Sequence, residues 1–130
     1  MERLFLDANI LFSAAYRADS KLLTLWKFKD VMLCSSRYAL EEARTNLKEG
    51  DQGRRLQRLS SDLRLFEASD RKLPSGVSLP DKDAPILLAA IEAQADYLLT
   101  GDVRHFGLYF GRKIEGVVIA LPSQYFKKRL

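Results

Sequence analysis

Asp83-Ala84-Pro85-Ile86-Leu87-Leu88-Ala89-Ala90, followed shortly by Ala95-Asp96-Tyr97-Leu98-Leu99-Thr100-Gly101-Asp102, is the stretch that decides the fold. Ile86, Leu87, Ala90 and Ile91 recur at helical spacing, so Ala84 to Ala95 reads as a helix. Its start places an acceptor, Asp83, ahead of a proline in the first turn, which suits the free N–H groups of a helix N-terminus. Asp96 to Leu99 then reads as a short buried strand. A helix feeding directly into a buried strand is one half of a parallel crossover. Asp102 lies just past the carboxyl end of that strand, where ligands bind in open α/β sheets.

The rest of the chain repeats this arrangement. Leu4-Phe5-Leu6 reads as a core strand ending at Asp7, and Ala8 to Arg17 as the helix after it. Asp19-Ser20 can cap a helix from Lys21 to Lys29. Val31 to Cys34 is a second strand, and Ser35-Ser36 caps a helix from about Arg37 to Lys48, ended by Gly50. Gln52 to Asp62 reads as a helix with Leu56 and Leu59 inward and Arg54, Arg55 and Arg58 outward. Leu63 to Glu67 reads as a third strand. Pro74, Gly76 and Pro80 make Ser69 to Pro80 a loop. Val103 to Phe110 reads as a short helix, Gly116 to Leu121 as a last strand, and Pro122 to Lys128 as a final helix. The expectation is a three-layer α/β/α domain spanning residues 1–130, with a mostly parallel sheet of about five strands.

Composition narrows the function. Apolar residues make up 47% of the 130, enough for a core, and the net charge of +4 favours a polyanionic partner. Cys34 is the one cysteine and lies in an apolar run, so an intrachain disulfide is excluded and a buried hydrophobe is expected. His105 is the one histidine, and no nucleophile-elbow motif or zinc-ligand cluster accompanies it. No stretch approaches the roughly 20 apolar residues of a membrane span. The expected setting is the cytoplasm.

Four acidic positions carry the chemistry: Asp7, Glu42, Asp83 and Asp102. The bland alternative is capping, since Asp7, Asp83 and Asp102 each stand where a helix begins and aspartate is a favoured N-cap. Against that, Ser, Thr or Asn would cap as well, yet all three positions carry a charge. Carboxylates gathered at one sheet edge repel unless a cation joins them, and hard oxygen ligands select Mg²⁺ or Mn²⁺. Glu42 falls on the edge of the apolar stripe Ala39-Ala43-Leu47, and spacing alone does not choose between it and Glu41.

These residues together resemble the PIN-domain metal-dependent nucleases, including the VapC-type toxins. The resemblance rests on Asp7-Ala8-Asn9 after the first strand, on Ser36-Arg37-Tyr38-Ala39-Leu40-Glu41-Glu42, and on the Asp83-to-Asp102 block ending Thr100-Gly101-Asp102. It covers nearly the whole chain. It implies a metal-dependent ribonuclease with Asp7, Glu42, Asp83 and Asp102 as catalytic metal ligands. It also implies Mg²⁺ or Mn²⁺ as cofactor, and products ending in 5′-phosphate and 3′-hydroxyl. Asn9 and Thr100 would support the ligands or orient substrate. Where many relatives have a further acidic residue after this motif, Arg104 and His105 stand here. The resemblance further implies an RNA substrate, an antitoxin protein as partner, and a homodimer, for which Tyr16, Leu23 and Trp26 are candidate contact residues.

Among the basic residues, Arg44 lies two residues beyond Glu42 and Arg104 two residues beyond Asp102, so both are expected to contact RNA phosphates. Lys127, Lys128 and Arg129 form a basic tail, and Tyr16 and Tyr38 are candidates for base stacking. Two other classes stay open: a PIN fold that only binds or scaffolds, and a phosphotransfer domain with an aspartyl nucleophile. The second is poorly served, because a haloacid-dehalogenase-like site needs D-x-D where this chain has Asp7-Ala8-Asn9.

Overall fold

The computed structural model describes residues 1–130. Six strands form one sheet: β1 (Glu2–Leu6), β2 (Val31–Ser35), β3 (Arg64–Leu65), β4 (Tyr97–Leu99), β5 (Lys113–Ile114) and β6 (Val117–Ala120). Their order is β3-β2-β1-β4-β6-β5, and every pairing is parallel except β5 with β6. The helices are α1 (Ala8–Tyr16), α2 (Arg37–Asn46), α3 (Gly50–Ser60), α4 (Ala84–Glu92), α5 (Val103–Phe106) and α6 (Pro122–Arg129). This is the expected α/β class, with one strand more than anticipated. The extra strand, β5, is reached by a hairpin whose two turn residues, Glu115 (φ 47°) and Gly116 (φ 89°), both lie in the left-handed region. Such turns match the twist of the paired strands.

Leu4, Phe5 and Leu6 of β1 and Leu98 and Leu99 of β4 are fully buried, because helices cover both faces of the sheet. β1 is central. Successive strands run to one side of it through β2 and β3, and to the other through β4 and β6. The connections therefore reverse between β1 and β4, which opens a crevice at their carboxyl ends. In register, Leu6 pairs with Leu99, so the next residues, Asp7 and Thr100, emerge side by side. The ladder runs one step further, with the Asp7 N–H donating to the Leu99 carbonyl at 3.1 Å.

Several boundaries differ from expectation. Lys21–Lys27 is a 3₁₀ helix rather than an α-helix, capped by the Ser20 hydroxyl. Leu22 and Leu25, three apart, eclipse naturally at three residues per turn. Gly50 opens α3 instead of closing α2, which already ends at Asn46. Val103 to Phe110 is one α-turn followed by a 3₁₀ turn over Gly107–Tyr109. The expected strand from Leu63 is only two residues long. Arg55 does not point outward: its guanidinium donates to the Ala15 carbonyl, and the Gln52 amide donates to the Tyr16 carbonyl at 3.3 Å. Together they satisfy carbonyls that the end of α1 leaves free.

The basic tail is largely bound. The Arg129 guanidinium lies 3.9 Å from the centroid of the Phe28 ring and donates to Asp30 at 2.8 Å. The Lys128 ammonium sits over Tyr97, 4.7 Å from its centroid. Cys34 is buried in the core as expected, and burial pushes its thiol pKa up. No helix is long and apolar enough to cross a membrane.

Candidate active site

Asp7, Glu42, Asp83 and Asp102 all line one cavity of about 610 Å³ at the carboxyl edge of the sheet. Each arrives on a different element. Asp7 leaves β1 and caps α1, its Oδ1 accepting from the Ala8 N–H at 2.6 Å. Asp102 follows β4 and caps α5, its Oδ1 accepting from the His105 N–H at 3.0 Å. Asp83 precedes α4 but its carboxylate makes no capping bond. Capping thus accounts for part of what Asp7 and Asp102 do and for nothing that Asp83 does. Glu42 projects from α2, while its neighbour Glu41 turns to the opposite side and pairs with Arg44.

A hydrogen-bonded frame fixes the first and last aspartates relative to each other. The Thr100 hydroxyl donates to Asp7 Oδ2 at 2.8 Å and accepts from the Asp102 N–H at 3.1 Å. The Asn9 amide donates to Asp7 Oδ2 at 3.2 Å and to Thr100 Oγ1 at 3.3 Å, and its oxygen accepts from the Gly101 N–H at 2.8 Å. Asn9 and Thr100 thus clamp together the two loops that follow β1 and β4.

The frame holds the carboxylates in contrasting states. Burial drives the Asp7 pKa up to about 6, against the hydrogen bonds from Thr100 and Ala8, and the charges of Asp83 and Glu42 push it the same way as burial. Asp83 is raised by burial and then by the nearby Asp102 charge. Burial also opposes ionisation of Asp102, but the hydrogen bonds from the His105 backbone and ring outweigh it and lower its pKa. One buried oxygen, Asp83 Oδ2, has no hydrogen-bond donor. His105 Nδ1 stands 3.0 Å from it and 2.8 Å from Asp102 Oδ2. A single ring nitrogen carries at most one proton, and its geometry directs it to Asp102.

The basic residues are distributed differently from expectation. Arg44 does not line this cavity. It lines a separate groove of about 800 Å³ between α2 and α3, whose walls carry Glu41 and Glu49 but none of Asp7, Glu42, Asp83 and Asp102. Arg104 is exposed beside the cavity without lining it. The lining cation is Lys82, which no motif or spacing singles out. Its backbone carbonyl accepts from the Tyr38 hydroxyl at 2.7 Å, tying α2 to the segment before α4. Tyr38 is therefore a strut rather than part of the lining, and the lining aromatic is Phe12, which packs against Tyr16 at 5.3 Å between centroids.

The family model of the PIN domain matches residues 3–104. The chain belongs to the PIN-domain family. No curated protein matches its sequence. This PIN domain is similar in structure to VapBC2 from Rickettsia felis, solved bound to a DNA fragment from their promoter. The TM-score is 0.65 at 20% identity, and the match covers 92% of this chain and 98% of that one. At that identity the likeness speaks for the fold.

The donor set suits a divalent cation. Asp83 and Asp102 carboxylate oxygens and His105 Nδ1 lie within 4.8 Å of one another, with Asp7 and Glu42 on the same cavity wall outside that tight group. An orphaned buried carboxylate oxygen and a buried aspartate with raised pKa are both relieved by a bound ion, which restores the charged form.

Proposed function

We propose that this PIN domain, one unit over residues 1–130, is a metal-dependent ribonuclease that hydrolyses RNA phosphodiester bonds. The observation that carries the proposal is the meeting of Asp7, Glu42, Asp83 and Asp102 around one cavity where Asp83 Oδ2 has no donor. These four would hold Mg²⁺ or Mn²⁺. When bound, such an ion polarises the phosphate and makes water a better nucleophile near neutral pH. The chain's own residues supply the rest. Asn9 and Thr100 fix Asp7 and Asp102 in place. Lys82 and Arg104 flank the acidic pocket with positive charge and meet the substrate's phosphates. Single-stranded or looped RNA is favoured, since its backbone bends into a carboxylate-lined crevice and its bases are unstacked.

In the cell, we propose the toxin of a toxin–antitoxin pair, acting in the cytoplasm as a homodimer. Likeness in fold to VapBC2, a complex crystallised on promoter DNA, supports that setting. The test is cleavage of a structured RNA and its DNA counterpart in Mg²⁺ and in Mn²⁺, with a chelator control. RNA cutting that needs the ion and is lost in Asp7→Asn and Glu42→Gln, but kept in Glu41→Gln, is expected. Cutting that survives the chelator, or equal cutting of duplex DNA, overturns the assignment.

A second reading, a PIN domain that binds without cutting, is favoured by one feature. His105 already places a nitrogen between Asp83 and Asp102, at 3.0 Å and 2.8 Å from their Oδ2 atoms, where an ion would otherwise sit. That reading requires that no divalent ion binds.

A further inference from the structure

We propose that His105 is a nitrogen ligand to the ion held by Asp83 and Asp102, and that it adapts the site to a first-row transition ion in preference to Mg²⁺. The inference rests on the ribonuclease reading of the site. It begins with local geometry. Asp102 caps α5 through Oδ1, which the His105 N–H occupies, and this leaves Oδ2 facing the cavity. His105 is three residues on, so its ring returns over the same helical turn and brings Nδ1 within 2.8 Å of that Oδ2. Asp83 Oδ2 reaches the same nitrogen from another element, at 3.0 Å.

A purely structural histidine would donate its proton to one acceptor and leave the other satisfied elsewhere. Here Asp83 is 8% exposed and its Oδ2 has no other donor. Two carboxylate oxygens facing one nitrogen make three corners that a cation can fill. Ligands on neighbouring corners of an octahedron with bonds near 2.1 Å stand about 3 Å apart. Both nitrogen-to-oxygen separations match that edge. Imidazole is a weak ligand for Mg²⁺ and a better one along the first transition row. The cavity carries no other ring nitrogen, because His105 is the one histidine of the chain.

That uniqueness makes the test direct. Mn²⁺ is added to the full-length protein and nitrogen hyperfine coupling is read by pulsed electron paramagnetic resonance. One sample carries natural histidine and another ¹⁵N-labelled histidine. The expected result is a directly coordinated ¹⁴N signal that converts to ¹⁵N in the labelled protein and disappears in His105→Ala. Mn²⁺ affinity should fall by about tenfold or more in that variant, with a smaller change for Mg²⁺. His105→Asp, which restores an oxygen ligand, should narrow the preference for Mn²⁺ over Mg²⁺. The wild-type labelling comparison stands even if a variant fails to fold. Mn²⁺ that binds without coupling to histidine nitrogen overturns the role of His105 and leaves the ribonuclease reading intact. If Mn²⁺ does not bind at all, both are overturned.

Discussion

Asp7 shows how one side chain serves two masters. Its Oδ1 caps α1 while its Oδ2 takes bonds from Thr100 and Asn9, so both oxygens act as acceptors. Asparagine caps a helix about as well, but it has one acceptor oxygen and would present a donor on the other side. Burial sets the pH behaviour of the metal-free protein. The folded pKa, about 6, lies above the ordinary 3.8, so the folded state binds the extra proton between those values. The stability that protonated Asp7 contributes is fully present below pH 3.8 and is lost as pH rises through about 6. The shift corresponds to roughly 3 kcal/mol. With chelator present, the unfolding free energy of Asp7→Asn relative to wild type should therefore improve from pH 4 to pH 8 by about 2–3 kcal/mol. A flat difference in urea unfolding across that range would refute the buried-charge account. At this scale the meeting of Asp7, Asp83 and Asp102 at one crevice was legible in the sequence, because strand ends and helix starts can be read from apolar runs, whereas spacing did not separate Glu42 from Glu41. Arg44 was not. Residues two apart on a helix face different sides, whereas Glu41 and Arg44, three apart, face the same one. Lys82 was hidden as well, since its position depends on the path of an irregular loop with no periodicity to read.

Two element limits, the end of α4 and the β5–β6 turn, are set by backbone geometry rather than by composition. Helix α4 stops at Glu92 although Ala93 and Ala95 continue the apolar pattern. It stops because Gln94 adopts φ 52°. The Ala95 N–H then returns to the Ala90 carbonyl at 3.1 Å and the Gln94 N–H to the Ile91 carbonyl at 2.9 Å, a Schellman ending. Glycine usually takes the left-handed position in this motif, and its absence is why the stop could not be read. Gln94 is exposed, so Gln94→Gly should relieve the strain without loss of packing. The variant is expected to gain about 0.5–1 kcal/mol, read as a higher urea midpoint with unchanged slope. A lower midpoint would mean that the glutamine side chain contributes more than its backbone costs. The β5–β6 hairpin escaped for a related reason. Its Glu115-Gly116 turn carries a glutamate at a left-handed position, where its side chain pairs with Arg71 across the loop.

Taken as a whole, the molecule places an acidic crevice in a chain of net charge +4. Long-range attraction draws a polyanion in, and the nearest cations then set how it docks. Arg104→Ala and Lys82→Ala should each weaken RNA binding whatever the sequence, and each should flatten the plot of log affinity against log salt by about 0.7. Arg44→Ala, across α2 in the other groove, should leave that slope unchanged. An Arg44→Ala slope that falls like the other two would place the RNA path over α2 and α3 instead. The homodimer has a test at this scale too. Tyr16 is 51% exposed while Leu23 and Trp26 are half-buried, with the Trp26 indole donating to the Leu59 carbonyl. Of the three, Tyr16 offers the most surface to a second copy. Sedimentation of wild type should give a dimer that Tyr16→Glu weakens, and a wild type that stays monomeric at all concentrations would remove the dimer.

Both borders of the sheet are stubs. β3 and β5 are each two residues long, and each carries a cation, Arg64 on one and Lys113 on the other. A stub with a charge on it gives a foreign strand too few N–H and C=O groups to zip onto. The sheet is therefore closed to growth in either direction, even though its middle strands are apolar enough to template fibrils if bared. Folded copies crowded together should stay dispersed rather than pairing border to border. Assembly of folded copies is left to surfaces other than the sheet borders.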